Sequence, residues 1–305
     1  ASLMEKLCST EPDAPAPDPA EGVGGASGWR IAAGGLLRFA SRPLQLAGVV
    51  PEAVSSMVTT LRKVRDGQTM ARPFARYKHD DLGITCVDTA AIYGMGHSER
   101  LVGKAISGRR DEVVVATKCG LRWDIEDGQF FFEGLDPDGK PHKIYRNLRP
   151  ESIRHECEES LRRLGVDCID LYQCHWPDPT SNQDDAIAAL CDLRAEGKIR
   201  AIGVSNFTAE MIQQALKQDV IASDQPKYNM LERAIERDIL PFCLEEEVGV
   251  LAYSPMAMGL LTGKVGLDRE FRGDDTRRNR PWFSPENRKR VLDVLGKIRV
   301  IADGH

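Results

Sequence analysis

The feature that most constrains the fold is a regular alternation of short apolar runs and amphipathic segments from Gly83 to Tyr253. The apolar runs predict six β-strands, over residues 84–88, 113–117, 169–175, 201–204, 221–225 and 248–253. The segments between them predict helices over residues 98–107, 151–164, 184–196, 209–218 and 234–247. Strands that alternate with helices form a parallel sheet, and strands this apolar are buried on both faces.

A closed (β/α)8 barrel and an open doubly wound sheet both fit this alternation. The open dinucleotide-binding sheet carries Gly-x-Gly-x-x-Gly after its first strand. The nearest candidate, residues 94–99 (GMGHSE), lacks the third glycine. We interpret its glycines as a turn into a helix that Ser98 caps. The sequence therefore favours an α/β fold of the (β/α)8 TIM-barrel type.

Composition excludes several classes of protein. The 305 residues carry a net charge of −5, with an isoelectric point of about 5.8, so the basic surface of a nucleic-acid-binding protein is missing. The longest apolar runs are too short to predict a membrane span, and the first residues do not resemble a secretory signal. The eight cysteines are scattered without a Cys-x-x-Cys pair, which predicts no metal site and reduced thiols in a cytoplasmic protein.

The chain divides into three parts by composition. Residues 1–28 are rich in Pro, Ala, Gly and acidic residues, which predicts disorder. Residues 29–81 form an atypical region with one helix predicted over residues 51–66. Residues 82–305 contain the strand and helix alternation.

Polar side chains stand at the end of every predicted strand. In a parallel barrel these ends meet at the catalytic face. Each residue alone has an ordinary structural explanation, such as a capped turn or a solvated charge, but their succession on one rim favours a shared site. The strand ends carry Asp88, Thr117, Lys118, His175, Ser205, Asn206, Asp224, Gln225, Tyr253 and Ser254.

These side chains fit the reduction of a carbonyl group, which needs a hydride on carbon and a proton on oxygen. Tyr93 follows the first strand and is a candidate proton donor, since Lys118 nearby would lower its pKa from about 10. Asp88 would hold Lys118 in place, and His175 would donate a hydrogen bond to the substrate oxygen. None of these residues supplies a hydride, so a cofactor is required.

Several motifs in order resemble the aldo-keto reductases. Residues 87–94 (VDTAAIYG) are similar to the Asp-Thr-Ala-x-x-Tyr-Gly signature of that family, and residues 116–118 (ATK) to its lysine strand. Further similarity lies in residues 160–167 (SLRRLGVD), 170–175 (DLYQCH), 197–207 (GKIRAIGVSNF), 225–229 (QPKYN), 253–255 (YSP) and 259–264 (GLLTGK).

The resemblance implies an NADPH-dependent reductase of small aldehydes or ketones, with no nucleic-acid or membrane partner. It gives the catalytic roles to Asp88, Tyr93, Lys118 and His175. It gives the cofactor to Ser205, Asn206, Gln225, Tyr253, Ser254, Pro255, Leu260, Gly263 and Lys264. It places Trp123 and Trp176 in the substrate pocket, beneath an inserted loop over residues 124–145.

The chain also departs from the family pattern. The first barrel strand of the family is not found, and after a helix that starts at Ser284 and Pro285 neither the eighth strand nor the 2′-phosphate loop follows. We therefore expect an incomplete barrel of about six family-like strands, a weakened NADPH preference and self-association through exposed strand edges. The alternative to a reductase is a catalytically weak barrel of the same type with a regulatory or partner-binding role.

Overall fold

A computed structural model describes residues 86–272 and 275–302 of the chain. These residues fall into two compact units, one of residues 86–226 with 235–251 and one of residues 227–234 with 252–302. The disorder predicted for residues 1–28 and the helix predicted over residues 51–66 lie outside the described residues.

The larger unit is built on a parallel sheet. Its strands are β1 (Cys86–Asp88), β2 (Val114–Cys119), β3 (Leu121–Arg122), β4 (Gln129–Leu135), β5 (Pro141–Arg146), β6 (Ile169–Cys174), β7 (Ile199–Ser205), β8 (Ile221–Gln225) and β9 (Gly249–Val250). The six strands β1, β2, β6, β7, β8 and β9 pair in that order, all parallel. The six predicted strands are therefore confirmed, although the last is shorter than residues 248–253.

Helices connect successive strands of this sheet. They are α1 (His97–Ile106), α2 (Pro150–Leu164), α3 (Gln183–Ala195), α4 (Ala209–Leu216) and α5 (Ile239–Glu245). The clearest prediction, residues 151–164, is confirmed by α2, which begins with Pro150 and ends at Gly165 in the left-handed conformation.

The helix predicted over residues 234–247 is wrong in its extent. A short 3₁₀ turn, Ala234–Glu236, precedes α5. The side chain of Asp238 accepts a hydrogen bond from the backbone N–H of Ile239, so a new helix starts there.

The loop predicted over residues 124–145 is also wrong, because most of it is an antiparallel sheet in the order β3-β5-β4. The turn between β4 and β5 is closed by Asp136, whose Oδ1 accepts hydrogen bonds from the backbone N–H groups of Asp138 and Lys140. Gly139 supplies the left-handed residue of this turn, with a φ of 82°. A hairpin therefore follows the end of β2.

A layer of small and branched side chains supports the polar strand ends. Ala116, Leu171, Ala201 and Ala222 form one buried cluster, against which Leu251 packs. Since side chains alternate along a strand, the residue two positions after Ala116 is Lys118 on the same face. The apolar layer thus lies directly below the polar residues of the strand ends.

The smaller unit has its own apolar core. Its regular elements are three 3₁₀ turns, Ala257–Thr262, Thr276–Asn279 and Pro281–Phe283, and the helix α6 (Pro285–Ala302). The core consists of Ala257, Leu260, Val265, Phe283 and Val291. Within residues 86–272 and 275–302, the structure has no helix with the length and apolar composition that a membrane span needs.

Candidate active site

A left-handed turn after β1 carries Tyr93. Gly94, Met95 and Gly96 have φ angles of 60°, 49° and 81°, a conformation that glycine adopts without steric cost. The backbone N–H of Tyr93 donates to the carbonyl oxygen of Ala90 at 3.1 Å. These contacts fix the direction in which the Tyr93 side chain leaves the turn.

The helix α1 begins after this turn without a side-chain cap. Gly96 is its N-cap residue, and Ser98 lies inside the first turn. The Ser98 hydroxyl instead shares a hydrogen bond with the Thr89 hydroxyl at 2.8 Å. The capping role predicted for Ser98 is therefore wrong, and this side chain ties the start of α1 to the residue after β1.

A buried lysine forms the centre of the site. The Lys118 side chain is fully buried, and its Nζ donates to Asp88 Oδ2 at 2.7 Å and to the carbonyl oxygen of Thr89 at 2.8 Å. Burial alone would lower the pKa of Lys118, but the charge of Asp88 and the hydrogen bonds to Asp88 and Tyr93 raise that pKa above its usual value. The lysine is therefore held as an ammonium ion inside the protein.

Tyr93 lies beside this ammonium ion. Lys118 Nζ is 5.2 Å from the centroid of the Tyr93 ring and also hydrogen bonds to the Tyr93 side chain. The sequence predicts that Lys118 lowers the pKa of Tyr93, and its charge acts in that direction. Burial has the larger effect, however, and the pKa of Tyr93 is raised overall. The phenol consequently keeps its proton at neutral pH.

His175 completes the group of four predicted catalytic residues. Its ring packs edge-on against that of Tyr93, with the centroids 5.8 Å apart. Burial, followed by the charge of Lys118, lowers the pKa of His175 well below its usual value. The imidazole is therefore neutral at neutral pH and has one N–H to donate. The structure thus brings Asp88, Tyr93, Lys118 and His175 together.

Two of the predicted cofactor residues, Asn206 and Gln225, contact this group, and Ser205 joins those two. Asn206 Nδ2 donates to the carbonyl oxygen of His175 at 3.1 Å and to Ser205 Oγ at 3.0 Å. Ser205 Oγ donates to the carbonyl oxygen of Gln225 at 2.7 Å, and Gln225 Nε2 donates to Asp88 Oδ1 at 3.0 Å. The ends of β7 and β8 are therefore joined to the Asp88–Lys118 pair by hydrogen bonds.

The two predicted pocket tryptophans lie in different surroundings. Trp123 lines a cavity of about 420 Å³ together with Gly94 and Met95 of the turn and Asp138 and His142 of the hairpin. Trp176 packs against Phe131 of β4, with ring centroids 5.5 Å apart. The hairpin therefore packs against Trp176 and shares this cavity with Trp123, and Trp176 does not line it.

The other predicted cofactor residues belong to the smaller unit. Ser254 and Met258 are left-handed, with φ angles of 53°, as are Gly259 at 94° and Gly263 at 71°. Pro255 is partly buried, and Lys264 is exposed. Tyr253 forms an isolated parallel bridge with Lys227. The Leu260 side chain is fully buried in the core of this unit, which leaves only its backbone available to a ligand.

Comparison with known proteins decides the family. The sequence model of the Aldo/keto reductase family matches residues 71–305, more than half of the chain. The chain belongs to the aldo/keto reductase family. Its larger unit therefore supplies six parallel strands of the TIM-barrel fold of that family, as the sequence predicts.

Two curated aldo/keto reductases are similar to the chain. It is 41% identical over 217 residues to the NADH-specific methylglyoxal reductase of Escherichia coli (strain K12), covering 70% of this chain and 64% of that protein. It is 38% identical over 224 residues to the aldo-keto reductase YhdN of Bacillus subtilis (strain 168), covering 73% and 63%. The chain therefore spans less than two thirds of the length of these relatives.

A solved structure supports the same fold. The glycerol dehydrogenase of Gluconobacter oxydans aligns with a TM-score of 0.66 and 36% identity, covering 85% of this chain and 70% of that one.

Two buried polar residues of this aldo/keto reductase, Gln173 and Glu156, are not predicted from the sequence. Gln173 Nε2 lies 3.4 Å from Asp88 Oδ1, and both carboxylate oxygens of Glu156 accept the backbone N–H of Gly120, at 3.0 and 3.1 Å. For Gln173 a signal was present, because it lies two positions before His175, and residues two apart along a strand point to the same face.

Proposed function

We propose that this chain reduces aldehydes or ketones to alcohols with NADPH, and that Tyr93 donates the proton with the help of Lys118, Asp88 and His175. The observation that carries the proposal is a buried ammonium group bound to the Asp88 carboxylate and to the Tyr93 phenol. A lysine held in this way stabilises negative charge on the phenol oxygen, which is the charge that proton donation leaves behind.

The protonation states of the site support this direction of proton transfer. The raised pKa of Tyr93 keeps the phenol protonated before the reaction. The lowered pKa of His175 keeps the imidazole neutral. Its N–H can therefore donate a hydrogen bond to the substrate oxygen, while the transferred proton comes from Tyr93. Tyr93 is thus the proton donor, and His175 orients the carbonyl group.

The residues at the ends of β7 and β8 suit a nicotinamide. A bound nicotinamide cofactor would supply the hydride. Ser205, Asn206 and Gln225 present a hydroxyl group and two amides within one hydrogen-bonded cluster, which matches the donor and acceptor of a carboxamide.

The smaller unit offers features that suit an anion. The resemblance to the family also assigns cofactor binding to Tyr253, Ser254, Pro255, Leu260, Gly263 and Lys264 of this unit. Ser254 and Gly263 have left-handed backbone, a conformation found in anion-binding turns of proteins, and the exposed Lys264 adds a positive charge. NADH is the natural competitor of NADPH here, since the Escherichia coli relative is named as NADH-specific.

The substrate is a small carbonyl compound. A cavity of about 420 Å³ lies beside the turn that carries Tyr93, where Gly94, Met95 and Trp123 line it, although none of the four proposed catalytic residues does. Its volume is within the range of small-molecule sites. Two of the relatives are named for methylglyoxal and for glycerol, which are both small three-carbon compounds. Methylglyoxal and glyceraldehyde are therefore the first substrates to test.

The proposal is tested by the loss of NADPH or NADH absorbance in the presence of these two aldehydes. We expect Tyr93→Phe to lower kcat by roughly 10² to 10⁴-fold, the usual contribution of a general acid. Its dissociation constant for the cofactor should stay unchanged. Tyr145→Phe is the matched control, because the Tyr145 hydroxyl donates to Glu126 in an exposed hydrogen bond. Equal turnover by the parent and Tyr93→Phe would rule out this assignment.

A further inference from the structure

Gln173 is a fully buried amide on the inner side of the site. It lies on β6 in register with Lys118 on β2. Its Nε2 is 3.4 Å from Asp88 Oδ1, whereas Lys118 binds the other oxygen of the same carboxylate. Gln173 and Lys118 therefore approach Asp88 from neighbouring strands.

The surroundings of Gln173 leave its amide no other partner. In the part of the chain that the structure describes, Gln173 Oε1 has no hydrogen-bond partner, and Asp88 is the one acceptor of its Nε2. Gly203 faces it on β7, where a Cβ atom would lie only 2.8 Å from Gln173 Cγ. The Gln173 amide therefore stays on Asp88, because a buried amide that left this carboxylate would have no other hydrogen-bond partner.

Gln225 also donates a hydrogen bond to Asp88 Oδ1, the carboxylate oxygen that Gln173 approaches. Its Nε2 is 3.0 Å from Asp88 Oδ1, but Gln225 is also the residue proposed to hold the nicotinamide carboxamide. Of the two N–H groups on the Gln225 amide nitrogen, the one directed at Asp88 is not available to the cofactor. A nicotinamide carboxamide that accepts this N–H displaces Gln225 from Asp88.

We propose that Gln173 is a positioning residue that holds Asp88 against Lys118, so that Gln225 can exchange Asp88 for the nicotinamide. The inference rests on the proposed function, since it needs a nicotinamide cofactor at Gln225. Gln173 touches neither substrate nor cofactor and acts only through Asp88. Its contribution is to keep one donor on Asp88 Oδ1 while the second donor leaves.

A double-mutant cycle on cofactor affinity tests this exchange. The dissociation constants of NADPH and NADH are measured by fluorescence titration for the parent, Gln173→Leu, Gln225→Leu and the double variant. In the parent background, Gln173→Leu should raise the dissociation constant about 5- to 10-fold, since release of Gln225 then leaves Asp88 Oδ1 with no donor from the protein. In the Gln225→Leu background the same change should have an effect of less than about 2-fold.

Two further variants make the result specific. Gln173→Met also lacks a donor and replaces Gln173→Leu if the latter does not fold. Gln214→Leu is the control, because Gln214 also donates to a carboxylate, that of Asp184, but does so between α3 and α4. We expect Gln214→Leu to bind both cofactors as the parent does.

The outcomes separate this inference from the proposed function. Equal weakening in both backgrounds, or no weakening in either, overturns the role of Gln173 while leaving the reductase proposal intact. A coupled effect without reduction of any aldehyde supports the role of Gln173 and counts against the reductase. A parent chain that binds neither NADPH nor NADH overturns both.

Discussion

The two carboxylate oxygens of Asp88 accept hydrogen bonds from different residues. Oδ2 binds the fully buried Lys118, and Oδ1 accepts from Gln225 and Gln173. The Asp88 side chain is 39% exposed, so it links the buried lysine to the protein surface. A single residue thereby connects the proposed proton donor and its lysine to the residues proposed to bind the cofactor.

The fit between Gln173 and Gly203 gives a prediction at the same scale. An alanine Cβ at position 203 would lie 2.8 Å from Gln173 Cγ and 2.9 Å from Ser223 Oγ, closer than such atoms pack. We expect Gly203→Ala to lower the free energy of unfolding by about 1 to 3 kcal/mol, the usual cost of overpacking. It should also reduce turnover, since Gln173 would be displaced from Asp88. Urea denaturation and steady-state kinetics measure the two effects.

Gly296→Ala is the control for this change. Gly296 lies within α6 and a Cβ there meets no atom within 4 Å. Alanine should raise stability there by about 0.5 to 1 kcal/mol, because it favours the helix. A Gly203→Ala variant as stable as the parent would contradict the tight fit described for Gln173.

Sequence alone predicts which strand ends carry polar groups but not every contact between them. Lys118 and His175 are visible as polar residues at the ends of apolar strands, and the strand alternation places them on one rim. The contact between Gln225 and Asp88 joins residues 137 positions apart through a long side chain, and no pattern in the sequence encodes that direction.

At the scale of elements, hydrogen bonds to the Glu156 carboxylate join α2 to the end of β2. Its carboxylate accepts the backbone N–H of Gly120, which has a φ of 91° and begins the segment leading to Trp123. Burial raises the pKa of Glu156 to about 8, although the charge of Arg122 acts in the opposite direction. The attachment therefore involves a carboxyl group that changes charge near neutral pH.

This pKa predicts how the stability of the attachment depends on pH. Between the unfolded value of 4.5 and about 8, the folded protein binds more protons at Glu156 than the unfolded chain does. The free energy of unfolding of the parent should therefore fall as pH rises through this window, by up to about 1.4 kcal/mol per pH unit. Glu156→Gln removes this contribution, so the variant should gain stability relative to the parent toward alkaline pH.

Denaturant unfolding of both proteins across the pH range gives the measurement. Asp224, whose burial raises its pKa to about 8, titrates in both proteins and cancels in the difference. Glu158→Gln on the same helix is the control, because Glu158 is exposed and pairs with Lys198. A constant difference between the parent and Glu156→Gln at all pH values would contradict the prediction.

The hairpin of β4 and β5 is not predicted from the sequence, and its register explains why. Strands that are buried on one face alternate apolar and polar residues, but the register of β4 shifts between Phe130 and Phe132. Phe131 and Phe132 are both buried as a result, and Phe130 is exposed. The bulge hides the alternation, whereas helix α2 keeps its spacing and is predicted almost to the residue.

At the scale of the whole molecule, the candidate site in the larger unit contains all four predicted catalytic residues and three of the predicted cofactor residues. Binding of a nicotinamide there should be linked to folding of the chain, because the cluster of Ser205, Asn206 and Gln225 forms only when the ends of β7 and β8 lie side by side. The unfolded chain has no such cluster.

A ligand that binds only the folded state stabilises it, which gives the last prediction. At a free NADPH concentration of about 100 times the dissociation constant, the free energy of unfolding of the parent should rise by about 2.7 kcal/mol. Tyr93→Phe should show the same rise, because the role proposed for its hydroxyl group is proton transfer and not cofactor binding. Gln225→Leu should lose about 1.4 kcal/mol of it at the same concentration, the equivalent of about 10-fold weaker binding. Urea denaturation with and without NADPH gives these values. A rise of equal size in Gln225→Leu and the parent would place the nicotinamide away from Gln225.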